Sequence, residues 1–168
     1  MDAAPIALRA ARADDLDAIM AIERTSGYAA LVGRSSRAEH EAMLADRRHA
    51  YFVGGQADVE AFAILRDLED PHGNVYLKRI AVARAGQGAG ARFLAALLDW
   101  VFAQTPAHRC HLDCFDDNAR AHAMYAKLGF TRDGTLREAY LTADGRRRDL
   151  VLMALTRPEW FRRAAAAR

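Results

Sequence analysis

The chain has 168 residues, 52% of them apolar, and its 24 basic residues nearly balance 22 acidic ones. That length supports one buried core, so we expect a single domain over residues 1–168, with a core of about 5–160 and an Ala-rich C-terminal tail. The two signs of charge are interspersed, which argues against a nucleic-acid partner, because nucleic-acid binding concentrates basic residues on one face.

The apolar segments also argue against a membrane protein. Residues 1–11 lack the apolar core of a signal peptide, and no stretch reaches the roughly 18 consecutive apolar residues of a membrane span. We therefore expect no membrane partner and a cytoplasmic location. Cys110 and Cys114 lie on one face of one predicted strand, too far apart for a disulfide, and are expected to be reduced core thiols.

The first third of the chain predicts a strand, two helices and a hairpin. Residues 6–10 are a short apolar run, and Leu16, Ile19, Met20 and Glu23 then follow at helical spacing, which predicts a helix. Ser36 and Glu39 have the spacing of a capping box, which predicts a second helix running to about Arg47. Two apolar runs flank a Gly-Gly pair and predict antiparallel strands at 51–53 and 59–65.

The middle of the chain predicts a βαβ unit. Residues 75–82 are rich in β-branched and aromatic side chains and predict a strand. A helix follows, with one wide apolar face made of Phe93, Leu94, Leu97, Leu98, Val101 and Phe102. Residues 109–115 read as the next strand, close to parallel with the first because a helix carries the chain back.

The last third predicts a helix, a hairpin and a tail. Asp117 or Asn118 can cap a helix that runs to Leu128, with Gly129 as the left-handed residue that closes it. Strands at 136–142 and 147–155 flank Asp144-Gly145, which predicts a two-residue turn. Residues 164–168 predict a helical tail. The basic run at 146–148 indicates a solvated strand edge or, alternatively, a phosphate contact.

A glycine-rich loop joins the strand at 75–82 to the following helix. A helix N-terminus offers free N–H groups and the positive end of its dipole, which favour a phosphate group, and glycines let the backbone come close. The predicted loop residues are Gly86, Gln87, Gly88, Ala89, Gly90 and Ala91. The same segment matches the G-x-G-x-x-G/A dinucleotide fingerprint. An NAD-binding oxidoreductase is therefore an alternative, opposed by the largely antiparallel β pattern that follows.

Two motifs together resemble the GNAT superfamily of acetyl-CoA-dependent N-acetyltransferases. The first is Ile80-Ala81-Val82 followed by Gly88-Ala89-Gly90, and the second is the segment 117–130, which is similar to N-x-x-A-x-x-x-Y-x-x-x-G-F. The resemblance implies that Ile80, Ala81, Val82 and the glycine loop bind acetyl-CoA. It also implies that Asn118 contacts the pantetheine arm and that Tyr125 points at the sulfur. Residues 136–160 resemble members that acetylate protein N-termini or small amines.

Acetyl transfer needs an oxyanion donor, an acid for the departing thiolate and a base for the amine. Backbone N–H groups near Ala81 and Val82 can serve the carbonyl if the strand splays from its neighbour, as the family's does. Tyr125 is the candidate acid, and Asp113 matches in position a base of ribosomal-protein N-acetyltransferases. Asp113 can equally bond backbone N–H groups at a strand end. The remaining candidate bases are water and Glu69, Asp70, His72 and Glu138.

These features together predict a mixed α/β GNAT fold, with a mainly antiparallel, splayed sheet and flanking helices. We expect an acetyl-CoA-dependent N-acetyltransferase with no metal, acting as a monomer or homodimer on a primary amine, first a protein or peptide α-amino group. A small-molecule amine such as a polyamine, amino acid or aminoglycoside is the alternative acceptor. A CoA-binding regulatory module is an alternative of another class, because Ala85 stands where the family has Gln or Arg.

Overall fold

The computed structural model describes residues 6–28 and 31–166, which form one seven-stranded sheet with helices on both faces. The strands are β1 Leu8–Ala10, β2 His49–Gly54, β3 Ala61–Arg66, β4 Asn74–Val82, β5 Arg109–Phe115, β6 Thr131–Leu141 and β7 Arg147–Thr156. The helices are α1 Leu16–Glu23, α2 Arg37–Ala45, α3 Ala89–Gln104, α4 Ala119–Lys127 and α5 Arg157–Ala166. Within the described ranges, no helix is long and apolar enough to span a bilayer.

The sheet is mainly antiparallel, as the sequence predicts. Its strand order is β1-β2-β3-β4-β5-β7-β6, and the parallel pair is β4 with β5, on either side of α3. The capping box of α2 is confirmed, since the Ser36 hydroxyl accepts from the Glu39 N–H at 3.3 Å and the Glu39 carboxylate accepts from the Ser36 N–H at 2.6 Å. The helix ends at Ala45, because Asp46 adopts an extended backbone.

Two cores form, one on each face of the sheet. The α3 face carries the larger core, in which the predicted apolar stripe of α3 packs beside Tyr125 of α4 and Trp160 of α5. The α1–α2 face carries a smaller core built on Leu16 and Ile19 of α1 against Phe62 of β3. Cys110 is buried in the α3-face core and Cys114 packs against it as a half-buried free thiol, which confirms the assignment of both cysteines.

The last third of the chain corrects two predictions and agrees with a third. β7 lies between β5 and β6, but its pairing with β5 begins only at Leu150, so Arg147 and Arg148 pair with β6 alone and lie at a strand edge beyond the end of β5. The hairpin loop has three residues and not two, because Thr142 donates to the Arg146 carbonyl at 2.9 Å and Gly145 takes a left-handed φ of 80°. Helix α5 begins at Arg157, well before the predicted tail, whose last residues 167–168 lie outside the described ranges.

β4 and β5 separate after a short stretch of pairing, which opens the sheet at its centre. Their pairing runs from Asn74 with Arg109 to Tyr76 with His111 and goes no further. Just beyond this point, Lys78 has no partner on β3, because Ile64 pairs with Arg79 and Leu65 pairs with Leu77. Such a bulge bends its strand, so β4 turns away from β5 while β5 stays paired with β7 along its whole length. The predicted splay is therefore present.

Candidate active site

The splay between β4 and β5 opens into a cleft of about 1190 Å³. Its walls come from β4, the glycine loop, α4, the end of β5 and the β6–β7 hairpin. Ten of the predicted site residues line it: Ile80, Ala81, Val82, Gly86, Gly88, Gly90, Ala91, Asp113, Asn118 and Tyr125. The lining does not include Gln87, whose carbonyl accepts from Arg92 at 3.0 Å, or Ala89, which packs against the α3-face core.

The glycine loop leaves the N-terminus of α3 open toward the cleft. Gly88 is the N-cap residue at φ 70°, and Gly86 has φ 94°, so both need the left-handed backbone that glycine adopts without strain. No side chain caps the helix, which leaves its first N–H groups and the positive end of its dipole for a ligand. The geometry fits the pyrophosphate that the sequence predicts here.

Gly90 has a packing role that the sequence does not reveal. A Cβ atom built on Gly90 would lie 3.2 Å from the sulfur of Met124 and 3.7 Å from Cγ1 of Val82. The missing side chain therefore lets α3 approach α4 and β4 at the mouth of the cleft. Packing therefore favours a small residue at this position, whether or not a ligand lies close to the loop.

The backbone of β4 turns two N–H groups toward the cleft. The Ala83 N–H donates to the Glu60 carbonyl at 2.7 Å, so by strand alternation Ala81 also faces β3, while Ile80 and Val82 turn their N–H groups toward the cleft. The carbonyl of Val82 accepts from the Tyr28 hydroxyl at 2.7 Å. Of the two N–H groups considered from the sequence, the Val82 group is the one that faces the cleft.

Helix α4 brings Asn118 and Tyr125 to the same wall of the cleft. Asn118 is the N-cap residue, and its side-chain oxygen accepts from the Ala121 N–H at 3.2 Å, which leaves its amide NH₂ group for a ligand. Tyr125 lies two helical turns further on and is 7% exposed, with its ring 5.7 Å from that of Phe130. Burial raises the pKa of Tyr125, so its phenol keeps its proton at neutral pH.

Asp113 lies where β5 leaves β4, and it bonds a phenol and not the backbone N–H groups considered from the sequence. Its carboxylate accepts from the Tyr76 hydroxyl at 2.8 Å, and the Tyr76 ring stacks on His111 at 5.2 Å. Burial and the Asp113 charge raise the pKa of Tyr76, which therefore remains a hydrogen-bond donor. The described lining includes none of the four loop alternatives, Glu69, Asp70, His72 and Glu138.

Asp113 and Tyr125 reach the cleft from opposite faces of the sheet. Leu77 of β4 and Leu112 of β5 are buried in the α3-face core, and Tyr125 packs in the same core. Side chains alternate between faces along a strand, so Tyr76 and Asp113 lie on the α1–α2 face. A reacting atom between β4 and β5 would therefore have a carboxylate on one side and a phenol on the other.

The sequence profile of the Acetyltransferase (GNAT) family matches residues 16–130, which is most of the chain and includes both predicted motifs. The chain belongs to this acetyltransferase family. The [ribosomal protein uS5]-alanine N-acetyltransferase of Escherichia coli is 34% identical over 82 residues, which cover 48% of this chain and 42% of that protein. The chain thus aligns with less than half the length of this curated relative.

Solved GNAT structures share the fold. The ribosomal-protein-S18-alanine N-acetyltransferase of Escherichia coli has a TM-score of 0.74 at 27% identity, with 90% of this chain and 93% of that one covered. The spermidine N-acetyltransferase of Vibrio cholerae, solved with CoA and spermine, has a TM-score of 0.79 at 21% identity, with coverage of 94% and 98%. The predicted fold is confirmed.

A buried ionic network that was not predicted from the sequence supports β4 of this GNAT chain. Glu23 and His40 are fully buried, with His40 Nε2 3.1 Å from a Glu23 oxygen and His40 Nδ1 2.9 Å from the Tyr51 hydroxyl. The other Glu23 oxygen accepts from Arg79, which lines the cleft. Burial alone would raise the pKa of Glu23, but His40 and Arg79 outweigh it and lower that pKa. The network ties α1 and α2 to β4.

An aromatic and cationic cluster lies on the α1–α2 face, at the end of β5. The Arg148 guanidinium lies 3.8 Å from the centroid of the Phe115 ring and donates to Asp117 at 2.6 Å. Tyr140 of β6 meets the same Phe115 ring edge-on at 5.0 Å. The charge of Arg148 is therefore already engaged within the protein.

Proposed function

We propose that this GNAT protein transfers the acetyl group of acetyl-CoA to the α-amino group of a peptide or protein. The observation that carries the proposal is the pair of proton-transfer candidates, Asp113 and Tyr125, on opposite sides of one open cleft. The uncapped N-terminus of α3 supports acetyl-CoA as the donor, because its N–H groups suit a pyrophosphate. Bound there, acetyl-CoA would supply the thioester that is attacked.

Each step of the transfer has a candidate group. The Asp113 carboxylate takes a proton from the acceptor ammonium, which frees a nitrogen lone pair for attack on the thioester carbonyl. The Val82 N–H donates to the oxygen that becomes negative. As the carbon–sulfur bond breaks, Tyr125 gives its proton to the thiolate. The attacking nitrogen, which carries a positive charge after the attack, loses its second proton, and that proton restores the Tyr125 phenol. Because Tyr125 and Asp113 approach from opposite faces, the amine can arrive from one face while the thiol leaves toward the other.

The acceptor class is supported by two relatives and by the aspartates that line the cleft. The two Escherichia coli relatives are named for acetylating alanine of ribosomal proteins, and the spermidine enzyme shares the fold at lower identity. A polyamine brings several positive charges and needs acidic partners. Of the three aspartates that line the cleft, Asp117 and Asp144 already pair with arginines. Among the described residues, Asp113 is the one without an arginine partner, so a polyamine would find few acidic partners in the cleft.

Thermal melting with candidate cofactors tests the donor. We expect acetyl-CoA or CoA to raise the melting temperature and NAD or NADH to leave it unchanged. Ligand at about 100 times its dissociation constant should add about 2.7 kcal/mol to the free energy of unfolding. A response to NAD with none to CoA would overturn the proposal and favour an oxidoreductase. Stabilisation by acetyl-CoA without acetylation of any amine would favour a regulatory module.

Gly90→Val tests the glycine loop. The added methyl groups press on Met124 and Val82 at the mouth of the cleft, so we expect the acetyl-CoA affinity to fall about tenfold or more. Overpacking should cost about 1–3 kcal/mol of stability, less than unfolds the domain. Gly134→Val is the matched control, since a Cβ there meets nothing within 4 Å. Unchanged affinity in a folded Gly90→Val protein, measured by calorimetry, would mean that the loop does not hold the cofactor.

A further inference from the structure

Lys78 is a half-buried lysine in the bulge of β4, on the wall of the cleft. It has no partner residue on β3, because the register jumps from Arg79 to Leu77. A bulge changes the direction in which its side chains point, because two residues of the bulged strand lie opposite a single residue of the neighbouring strand. Here Lys78 and Arg79 together oppose Ile64, whose side chain is buried on the α1–α2 face. The lysine therefore shares the face of Asp113.

The other cations near this face are engaged. Arg79 pairs with the buried Glu23, Arg148 pairs with Asp117 and Arg66 pairs with Asp67. Across residues 6–28 and 31–166, no salt bridge or hydrogen bond reaches the Lys78 ammonium. Burial, together with the charge of Arg79, lowers the pKa of Lys78, which is the direction expected of a cation without an anion. An arriving anion would therefore find an ammonium that forms no ion pair within the described ranges.

Asp113 and Lys78 thus place two opposite charges beside the same cleft. The Asp113 charge is close enough to act on the Lys78 ammonium, although the two side chains do not bond. A carboxylate attracts the amine of an acceptor, and an ammonium attracts an acidic group of the same acceptor. A polyamine would meet Lys78 with a second positive charge, and such like-charge contacts discriminate against a partner.

We propose that Lys78 is a specificity-determining residue that selects acceptors with a carboxylate close to the reacting amine. This inference rests on the proposed function and adds to it the charge of the acceptor. The carboxylate can come from an acidic side chain in the first residues of a peptide or from the α-carboxylate of a free amino acid. Both sources place an anion a few bonds from the amine, within reach of Lys78 while the amine approaches Asp113.

A charge series of acceptors tests the inference on the wild-type protein. The peptides Ala-Asp-Ala-Ala, Ala-Asn-Ala-Ala and Ala-Lys-Ala-Ala differ in one side chain, with free alanine and spermidine as further arms. Thiol release from acetyl-CoA gives kcat/KM for each. We expect the Asp peptide to exceed the Lys peptide by about tenfold to a hundredfold, the range of one charge-assisted hydrogen bond. A preference for free alanine would keep the inference and make the acceptor an amino acid.

Substitutions at the two lysines of the chain test whether Lys78 causes the preference for the Asp peptide. Lys78→Gln should bring the ratio of the Asp to the Lys peptide close to one, and Lys78→Glu should reverse it, with the Asn peptide changing least. Lys127→Gln removes a lysine from α4 at the same cleft and should leave the ratio as in the wild type.

Two results would count against Lys78. Equal kcat/KM for the three peptides in the wild type would overturn the inference while the proposed function stands. A preference that survives in a folded Lys78→Gln protein would also overturn it. If acetyl-CoA binds but no acceptor is acetylated, the proposed function fails and the inference fails with it.

Discussion

Tyr125→Phe is expected to bind acetyl-CoA like the wild type and to turn over about 10² to 10⁴ times more slowly, the range for loss of a positioned acid. The substitution keeps the ring that packs on Phe130 and removes only the hydroxyl. Burial raises the pKa of Tyr125, so the wild-type phenol is protonated at every pH at which the enzyme would work. The loss should therefore be nearly constant with pH. Steady-state kinetics beside calorimetry separate turnover from binding.

Tyr51→Phe is the matched control, because Tyr51 is also a buried tyrosine but bonds His40 and does not line the cleft. We expect it to lower stability by about 0.5–1.5 kcal/mol, the usual contribution of one hydrogen bond, without a comparable loss of turnover. Full activity in Tyr125→Phe would remove Tyr125 from the mechanism. Joint loss of acetyl-CoA binding and of folding would make it a core aromatic.

Much of the fold follows from local signals in the sequence. The capping box at Ser36, the apolar stripe of α3 and the left-handed Gly129 each depend on residues a few positions apart, and all three occur in the structure. The order of the last strands depends instead on contacts far apart in sequence, so the interior position of β7 could not be read from the basic run. β6 is exposed along almost its whole length, and its start at Thr131 shows no alternation to detect.

The site residues that belong to a sequence motif could be predicted. The contacts that depend on strand register could not. The glycine loop and Tyr125 follow from the motifs, while the environment of Lys78 depends on how β3 pairs with β4. Tyr76 becomes a partner of Asp113 only because β4 and β5 align as parallel strands. One signal for the buried network was present in the sequence. Glu23 falls at an apolar position of α1, where a carboxylate needs a buried partner.

Asp113→Asn is expected to slow turnover by about 10² to 10⁴ at neutral pH, since an amide cannot take a proton from the acceptor. The side chain keeps its shape and an oxygen that accepts from Tyr76, so the fold and acetyl-CoA binding should persist. A peptide α-amino group has a pKa of about 7.7–8.0, and above it most of the acceptor is already deprotonated. The defect should therefore shrink as the pH is raised from about 7 to about 9, unlike that of Tyr125→Phe.

Tyr76→Phe is the companion variant, because it removes the hydroxyl that holds the Asp113 carboxylate but leaves the carboxylate in place. We expect an intermediate loss of turnover, with a pH dependence close to that of the wild type. The measurement is kcat/KM across pH for all three proteins, with acetyl-CoA affinity measured in parallel. If Asp113→Asn matches the wild type at neutral pH, Asp113 is not the base, and water within the cleft becomes the candidate proton acceptor.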